Sequence, residues 1–260
     1  MRELGPPYNA PVSLQIPRLG DVPDAAFPHP RHALTAPDGL LAWGGDLSPT
    51  RLLNAYRLGI FPWYSGDQPI LWWSPDPRMV FPTGAVRLSS RFRRRLRSSP
   101  WVARADSAFA QVIGRCATAP RAGQHDTWIT AEMRAAYLHL HTLGHAHSIE
   151  VFAGPEPGAA MVGGIYGVAI GRMFFGESMF SGAPGGSKVA LASLAAWLQA
   201  RGWPWIDAQV ETAHLASLGG TRVPRERFVE TLRRLVDAPV DPGSWTEDFG
   251  MRPVHLLGRS

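Results

Sequence analysis

The chain has 260 residues, 45% of them hydrophobic, enough to bury a sizeable core as one large domain or as a small module leaning on a larger one. A single cysteine, Cys116, excludes an intrachain disulfide and thiolate-built metal sites, and it suits a reducing cytosol. The formal charge of +5 favours polyanionic partners, but Lys188 is the one lysine among 26 basic residues, so the placement of the arginines has to carry that argument.

Met1 to Pro7 contains one basic residue and no apolar stretch follows it, so the start does not read as a secretory signal. The most apolar run, Ala159 to Gly171, is cut by glycines and falls short of the roughly 20 residues a membrane span needs. A cytoplasmic protein without membrane attachment is expected. Residues 1–26, rich in proline and small residues, show no periodicity and are expected to form a loose extension.

Turn signals follow at Pro37-Asp38-Gly39 and Gly44-Gly45-Asp46. Ser48-Pro49 then supplies a cap and a first position for a helix over Thr50 to Leu58, closed by Gly59. The aromatic segments Phe61-Pro-Trp-Tyr-Ser and Ile70-Leu-Trp-Trp-Ser-Pro-Asp-Pro-Arg are broken too often by proline for a long helix or a central strand, and predict short edge strands and shaped loops. They are open to two readings, packing pieces of a small module or a stacking surface for bases.

Ser89 or Ser90 can cap a helix with Leu88, Phe92 and Leu96 as its inward stripe. Arg91, Arg93, Arg94, Arg95 and Arg97 then face outward with no acidic neighbours, either as a solvated face or as contacts to nucleic-acid phosphates. Thr130 to Leu143 predicts an amphipathic helix with Met133, Tyr137 and Leu140 on one side and Gly144 closing it. His147 to Phe152 alternates as a strand, and Val162 to Ile170 with Arg172 to Phe175 predicts a hairpin around Gly171. A helix from Ser187 to Ala200, a strand from Trp205 to Val210 and a helix from Arg225 to Leu235 complete a mixed α/β, acyltransferase-like order.

Three familiar motifs fail on inspection. Gly176-Glu-Ser-Met-Phe180 lacks the final glycine of a nucleophile elbow, and Val189 follows Lys188 where a phosphate loop needs Ser or Thr. In His139-Leu-His-Thr-Leu-Gly-His-Ala-His147 the pair His139 and His141 diverges on a helix, and only His145 and His147 can share a face, so no metal site is expected. Glu177 and Asp207 each sit in an apolar strand-like setting, where a buried charge needs either a structural partner or a cleft. Gln209, two residues past Asp207, is expected on the same side of that strand.

Seven segments, taken together, resemble one family. They are Asp38-Gly-Leu-Leu-Ala-Trp-Gly-Gly-Asp-Leu-Ser-Pro, Tyr56-Arg-Leu-Gly-Ile-Phe-Pro-Trp-Tyr-Ser, Leu71-Trp-Trp-Ser-Pro-Asp-Pro-Arg, Trp128-Ile-Thr, Gly144-His-Ala-His-Ser-Ile-Glu, Gly176-Glu-Ser-Met-Phe-Ser and His214-Leu-Ala-Ser-Leu-Gly. In this order they resemble the bacterial leucyl/phenylalanyl-tRNA–protein transferases over most of residues 27–235. The resemblance implies a small N-terminal domain (27–82), an acetyltransferase-like catalytic domain (83–245) and a tail (246–260). It implies transfer of Leu or Phe, with Met a further candidate, from aminoacyl-tRNA to the N-terminal Arg or Lys of an acceptor protein, which marks that protein for degradation. Neither a cofactor nor a metal is implied.

By position in those motifs, Trp63 and Trp128 resemble the pair that holds the terminal adenine of the tRNA. Glu177, Asp207 and Gln209 resemble the polar catalytic set, and Ile165, Met179 and Leu194 the amino-acid pocket. The phosphate contacts expected of the acceptor stem fall on Arg91, Arg94, Arg95 and Arg97. Ala208 stands where the family often has Cys, and Ile165 and Leu194 where Met and Phe are expected. Asp207 is expected to orient the Gln209 amide so that its carbonyl accepts from the attacking amine. A metal-dependent hydrolase and a non-catalytic RNA-binding protein are the competing classes. A monomer is expected, since no coiled-coil pattern occurs.

Overall fold

The computed structural model describes residues 16–66, 68–119, 128–240 and 243–258. The reading of Met1 to Pro7, and most of the expected N-terminal extension, lie outside them. Two sheets organise the rest. In the small one β1 (Arg18–Leu19) runs parallel to β2 (Leu40–Gly44), helix α1 (Pro49–Arg57) follows, and β3 (Phe61–Pro62) and β4 (Leu71–Trp73) complete the order β1-β2-β4-β3. The Ser48 hydroxyl accepts from the Arg51 N–H and Pro49 opens α1, so the helix begins where cap chemistry predicts.

Two expectations about this unit need correction. Residues 18–19 are not loose: they form a strand, and the fully buried Arg51 donates to the Gly20 and Val22 carbonyls at 2.8 and 2.6 Å. The segment is tied down by backbone and side-chain bonds that composition does not reveal. β4 is an inner strand rather than an edge, because its prolines fall outside the three paired residues and Trp72 fills the core with no exposure.

The larger sheet is built from β5 (Arg78–Pro82), helix α2 (Ser90–Leu96), β6 (Val102–Ala105), α3 (Phe109–Thr118), α4 (Ala131–Thr142), β7 (Ala146–Phe152), β8 (Met161–Ile170), β9 (Met173–Ser181), α5 (Gly186–Ala200), β10 (Trp205–Gln209), α6 (Ala213–Ser217), β11 (Thr221–Val223), α7 (Arg225–Val236), α8 (Trp245–Phe249) and β12 (Arg252–Pro253). Its strand order is β11-β5-β10-β9-β8-β7-β6-β12. Every neighbouring pair in it is antiparallel except β9 with β10. The result is a mixed α/β fold with the expected order of two antiparallel strands, a helix and a further strand in β8, β9, α5 and β10.

Successive side chains of a strand point to opposite faces, and both faces are covered. Phe175 packs with α3, α4, α7 and the small sheet, whereas Phe174 packs with α5, α2 and α8. Burial on both faces is why β7 shows almost unbroken burial instead of the alternation expected. Short elements (β6, α6, β11, α8 and β12) escape the sequence reading, as does α3, although its buried Phe109, Val112, Ile113 and Cys116 follow a helical spacing. Among the described residues no helix is long and apolar enough to cross a membrane.

Candidate active site

The parallel pairing of β9 with β10 matches Met173–Phe175 with Trp205–Asp207. Just past it each strand carries a bulge. Ser178 and Gly176 pair with Tyr166 and Gly167, leaving Glu177 as the extra residue, and Asp207 and Gln209 pair with Val80 and Met79, leaving Ala208 extra. A bulge bends its strand and re-aims a side chain. Gly167 accommodates the first one, since a Cβ there would lie 2.0 Å from the Phe175 carbonyl oxygen.

Between the parting strands opens a cavity of ≈ 690 Å³. Its walls include Phe61, Trp63, Phe81, Trp128, Ile165, Met179, Leu191 and Ile206, and its polar groups include Glu177, Asp207, Gln209, Thr212 and His214. Among the described residues that line it there is no Arg or Lys, and the walls suit an apolar group presented to a carboxylate and an amide.

Glu177 is buried at the centre of a donor set from three elements. Its Oε1 accepts from the Tyr56 hydroxyl of α1 and from Gln209 Nε2, each at 2.8 Å, and its Oε2 accepts from the Tyr137 hydroxyl of α4 at 2.8 Å. The two phenol oxygens also touch one another. Burial pushes the Glu177 carboxyl up to about 7, with the Asp207 charge adding to the rise, while the donors from Tyr56, Tyr137 and Gln209 oppose it. Burial and the Glu177 charge in turn push both phenols well above their ordinary range.

Asp207, with no exposure, is held differently. Arg78 at the start of β5 grips it with Nε to Oδ1 at 2.9 Å and a terminal nitrogen to Oδ2 at 2.7 Å, and its other terminal nitrogen donates to the Gly59 carbonyl at 3.0 Å. Oδ1 also accepts the Gln209 backbone N–H at 2.9 Å. Gln209 takes a left-handed φ of +61°, costly for a non-glycine residue, and the bulge removes the simple alternation expected of positions 207 and 209. Asp207 therefore fixes the Gln209 backbone and does not touch its amide, which donates to Glu177.

The structure brings Glu177, Asp207, Gln209, Trp63, Trp128, Ile165 and Met179 around one cavity, with Ile165 and Met179 as direct cross-strand partners. Leu194 is outside it: fully buried in the core under α5, it leaves the wall to Leu191, almost one helical turn earlier. The α2 helix is where expected, with Ser89 as cap and Arg91, Arg94, Arg95 and Arg97 exposed, but none of these lines the cavity. Arg95 donates to the Pro184 carbonyl at 2.8 Å, and Arg97 to Gly258 at 3.2 Å.

Tyr56, Tyr137 and Arg78 are the residues that sequence reasoning left without a role. Arg78 had a visible signal, a charged residue heading the apolar run Met79-Val-Phe that must find a partner for its charge. The histidines pack locally. His141 meets the Ala146 carbonyl and stacks on Phe109, while His147 lies between Asp106 and the Gly144 carbonyl and stacks on Trp245.

Comparison with known proteins assigns the chain to a class, the transferases. Residues 80–233 match the family described as leucyl/phenylalanyl-tRNA protein transferase, and residues 45–76 match that family's N-terminal domain. A leucyl/phenylalanyl-tRNA–protein transferase of Xanthomonas axonopodis pv. citri is 63% identical over 250 residues, 96% of this chain and 99% of that one. Relatives of the same name from Xanthomonas euvesicatoria pv. vesicatoria and Xylella fastidiosa are 67% and 58% identical, covering 89% of this chain and 91% and 94% of theirs. The chain belongs to the leucyl/phenylalanyl-tRNA–protein transferase family. A solved structure of FemX aligns over 71% of each chain at 12% identity and a TM-score of 0.41, too distant a likeness to carry an argument.

Proposed function

We propose that this chain transfers Leu or Phe from its aminoacyl-tRNA to the N-terminal Arg or Lys of an acceptor protein, forming a peptide bond and marking the acceptor for degradation. The observation that carries this reading is an apolar cavity ending on a buried carboxyl and amide, Glu177 and Gln209, in a chain of this family. The Ile165 and Met179 wall, completed by Leu191, receives the amino-acid side chain. Trp63 and Trp128 grip the terminal adenine by stacking, a hold suited to an unpaired 3′ end. The α2 arginines contact acceptor-stem phosphates.

In the reaction the acceptor's amine nitrogen attacks the ester carbonyl carbon, the carbon–oxygen bond to the ribose breaks, and the ribose oxygen leaves with a proton. The ester is already activated, so positioning and proton handling are the protein's main tasks. Gln209 donates its N–H to Glu177, which leaves its carbonyl oxygen to accept from the amine. A glutamine is too weak a base to keep the proton. Glu177, with a carboxyl that ionises near neutrality, is the group suited to receive it. Asp207 holds the Gln209 backbone in place.

We place the reaction in the cytoplasm and the working form as a monomer. The small unit (27–82) and the catalytic unit (83–245) remain our division, with β5 contributed by the first to the sheet of the second. The test is transfer of labelled Phe from tRNA to an Arg-initiated peptide without ATP. Formation of a Phe-Arg bond is expected. Binding of charged and uncharged tRNA alike with no peptide product would leave a non-catalytic RNA-binding protein instead.

A further inference from the structure

We infer that Arg78 is a positioning residue of the reaction centre, acting through Asp207 and the Gln209 backbone to hold the Gln209 amide between Glu177 and the substrate. The inference rests on the aminoacyl-transfer reading above. Arg78 has no exposure and spends all three guanidinium nitrogens in the protein, two on Asp207 and one on the Gly59 carbonyl. Its guanidinium also lies over two rings, 4.7 Å from the Phe61 centroid and 4.8 Å from that of Phe228. A planar fork packed in this way fixes both the place and the plane of the carboxylate that it holds.

The consequence passes along one chain of contacts. Asp207 Oδ1 takes the Gln209 N–H at 2.9 Å, at a residue held in a left-handed conformation inside a bulge. Such a conformation persists only where surrounding structure enforces it. The Gln209 side chain then reaches Glu177 at 2.8 Å. Without a rigid Asp207, Gln209 loses the bond that holds its backbone, and its amide no longer has one fixed direction. Arg78 also joins the small unit to the centre, because Gly59 and Phe61 are among its other contacts.

The arrangement gives Asp207 a separate task from Glu177. With both of its oxygens bonded to a guanidinium, Asp207 serves as a structural anion, and the proton is left to Glu177. Among the described residues, the titratable and charged groups around these two carboxyls on the neighbouring elements include Tyr56 on α1, Arg78 on β5, Tyr137 on α4, Tyr166 on β8 and, across the cavity, His214 on α6.

The experiment uses the full chain and single-turnover transfer of Phe from tRNA to an Arg-initiated peptide. Arg78→Lys keeps the charge but loses the fork. Arg78→Gln combined with Asp207→Asn removes both charges together, leaving no buried charge unpaired, and serves if the lysine variant folds poorly. Each is measured alone and with Gln209→Ala, with rates normalised to the folded fraction. A misplacement on the ångström scale costs about a hundredfold, so each is expected to slow the chemical step by roughly that factor with the KM for aminoacyl-tRNA within about threefold of wild type.

Each is also expected to add no further loss to Gln209→Ala, because residues acting as one unit are not additive. Normal rates per folded molecule, or losses that multiply with Gln209→Ala, would overturn the inference while the wild-type transfer reaction stands. An absence of transfer by the wild-type chain would overturn the function reading and this inference with it.

Discussion

Two buried carboxyls of the same sheet, on strands separated only by β8, have opposite surroundings. Glu150 on β7 has no exposure, and it accepts from the Ser107 N–H at 3.0 Å, the Ser107 hydroxyl at 2.7 Å and the Ser148 hydroxyl. Burial pushes its carboxyl up, as it does that of Glu177. Yet Glu150 lines no described cavity, and its donors close a strand-to-loop corner shared with Asp106 and His147. Glu177 sits in a bulge facing an open cavity, and one of its donors is the Gln209 amide that lines the same cavity. A displaced carboxyl therefore reports burial, and the cavity beside it decides whether the displacement is available for chemistry.

The largest expected effect separates the two corners directly. Glu177→Gln should slow single-turnover transfer by about a hundredfold or more, in the range usual for a lost acid or base, whereas Glu150→Gln should stay within about threefold of wild type. Equal losses in the two variants would break the contrast. Next in size are the aromatic residues near each corner. Trp63→Ala and Trp128→Ala should each raise the KM for aminoacyl-tRNA by roughly ten- to a hundredfold, from lost stacking worth about 1–3 kcal/mol. Trp245→Ala removes the ring stacked on His147, and it should lower thermal stability with KM unchanged.

Stability against pH sharpens the comparison further. A folded Glu177 carboxyl at about 7, against an ordinary 4.5, means that the native state binds more protons than the unfolded chain between those values. Stability then falls as pH rises through that window, by about 3 kcal/mol in total at about 1.36 kcal/mol per pKa unit. Glu177→Gln should lose this dependence, so its Tm should gain on wild type between pH 5 and pH 8. Glu150→Gln should gain in the same direction. A constant Tm difference across this range would show that neither carboxyl titrates as described. The smallest effect concerns the pocket wall: Met179→Ala should change the Leu/Phe transfer ratio by up to about tenfold, and Leu194→Val, behind the wall, should leave the ratio unchanged.

The helices and one side of this contrast are legible in the residue order, whereas nothing in it sets Glu150 apart. The caps Ser48, Ser89 and Thr130 and the stripe Met133, Tyr137 and Leu140 act locally, so helix starts and buried faces could be read from residue order. Glu177, Asp207 and Gln209 stood out because polar residues in apolar strands need partners. What stayed hidden depends on pairing across long separations. The bulges at Glu177 and Ala208 exist only relative to β8 and β5, and the donors Tyr56, Arg78 and Tyr137 lie 121, 129 and 40 positions from the carboxyls they hold. Leu194 and Leu191 are both apolar positions of one helix, and periodicity alone cannot say which of them meets a cavity that opens where two strands part.

The most direct test of the central claim is the pH dependence of single-turnover Phe transfer to an Arg-initiated peptide, from pH 5.5 to 9, in wild type and Glu177→Gln. The wild-type rate should rise through two ionisations, that of Glu177 at about 7 and that of the acceptor amine at about 7.7–8.0. In Glu177→Gln only the amine's should remain, on a rate lowered at every pH. Superimposable profiles of equal amplitude in the two proteins would contradict the assignment of the proton to Glu177.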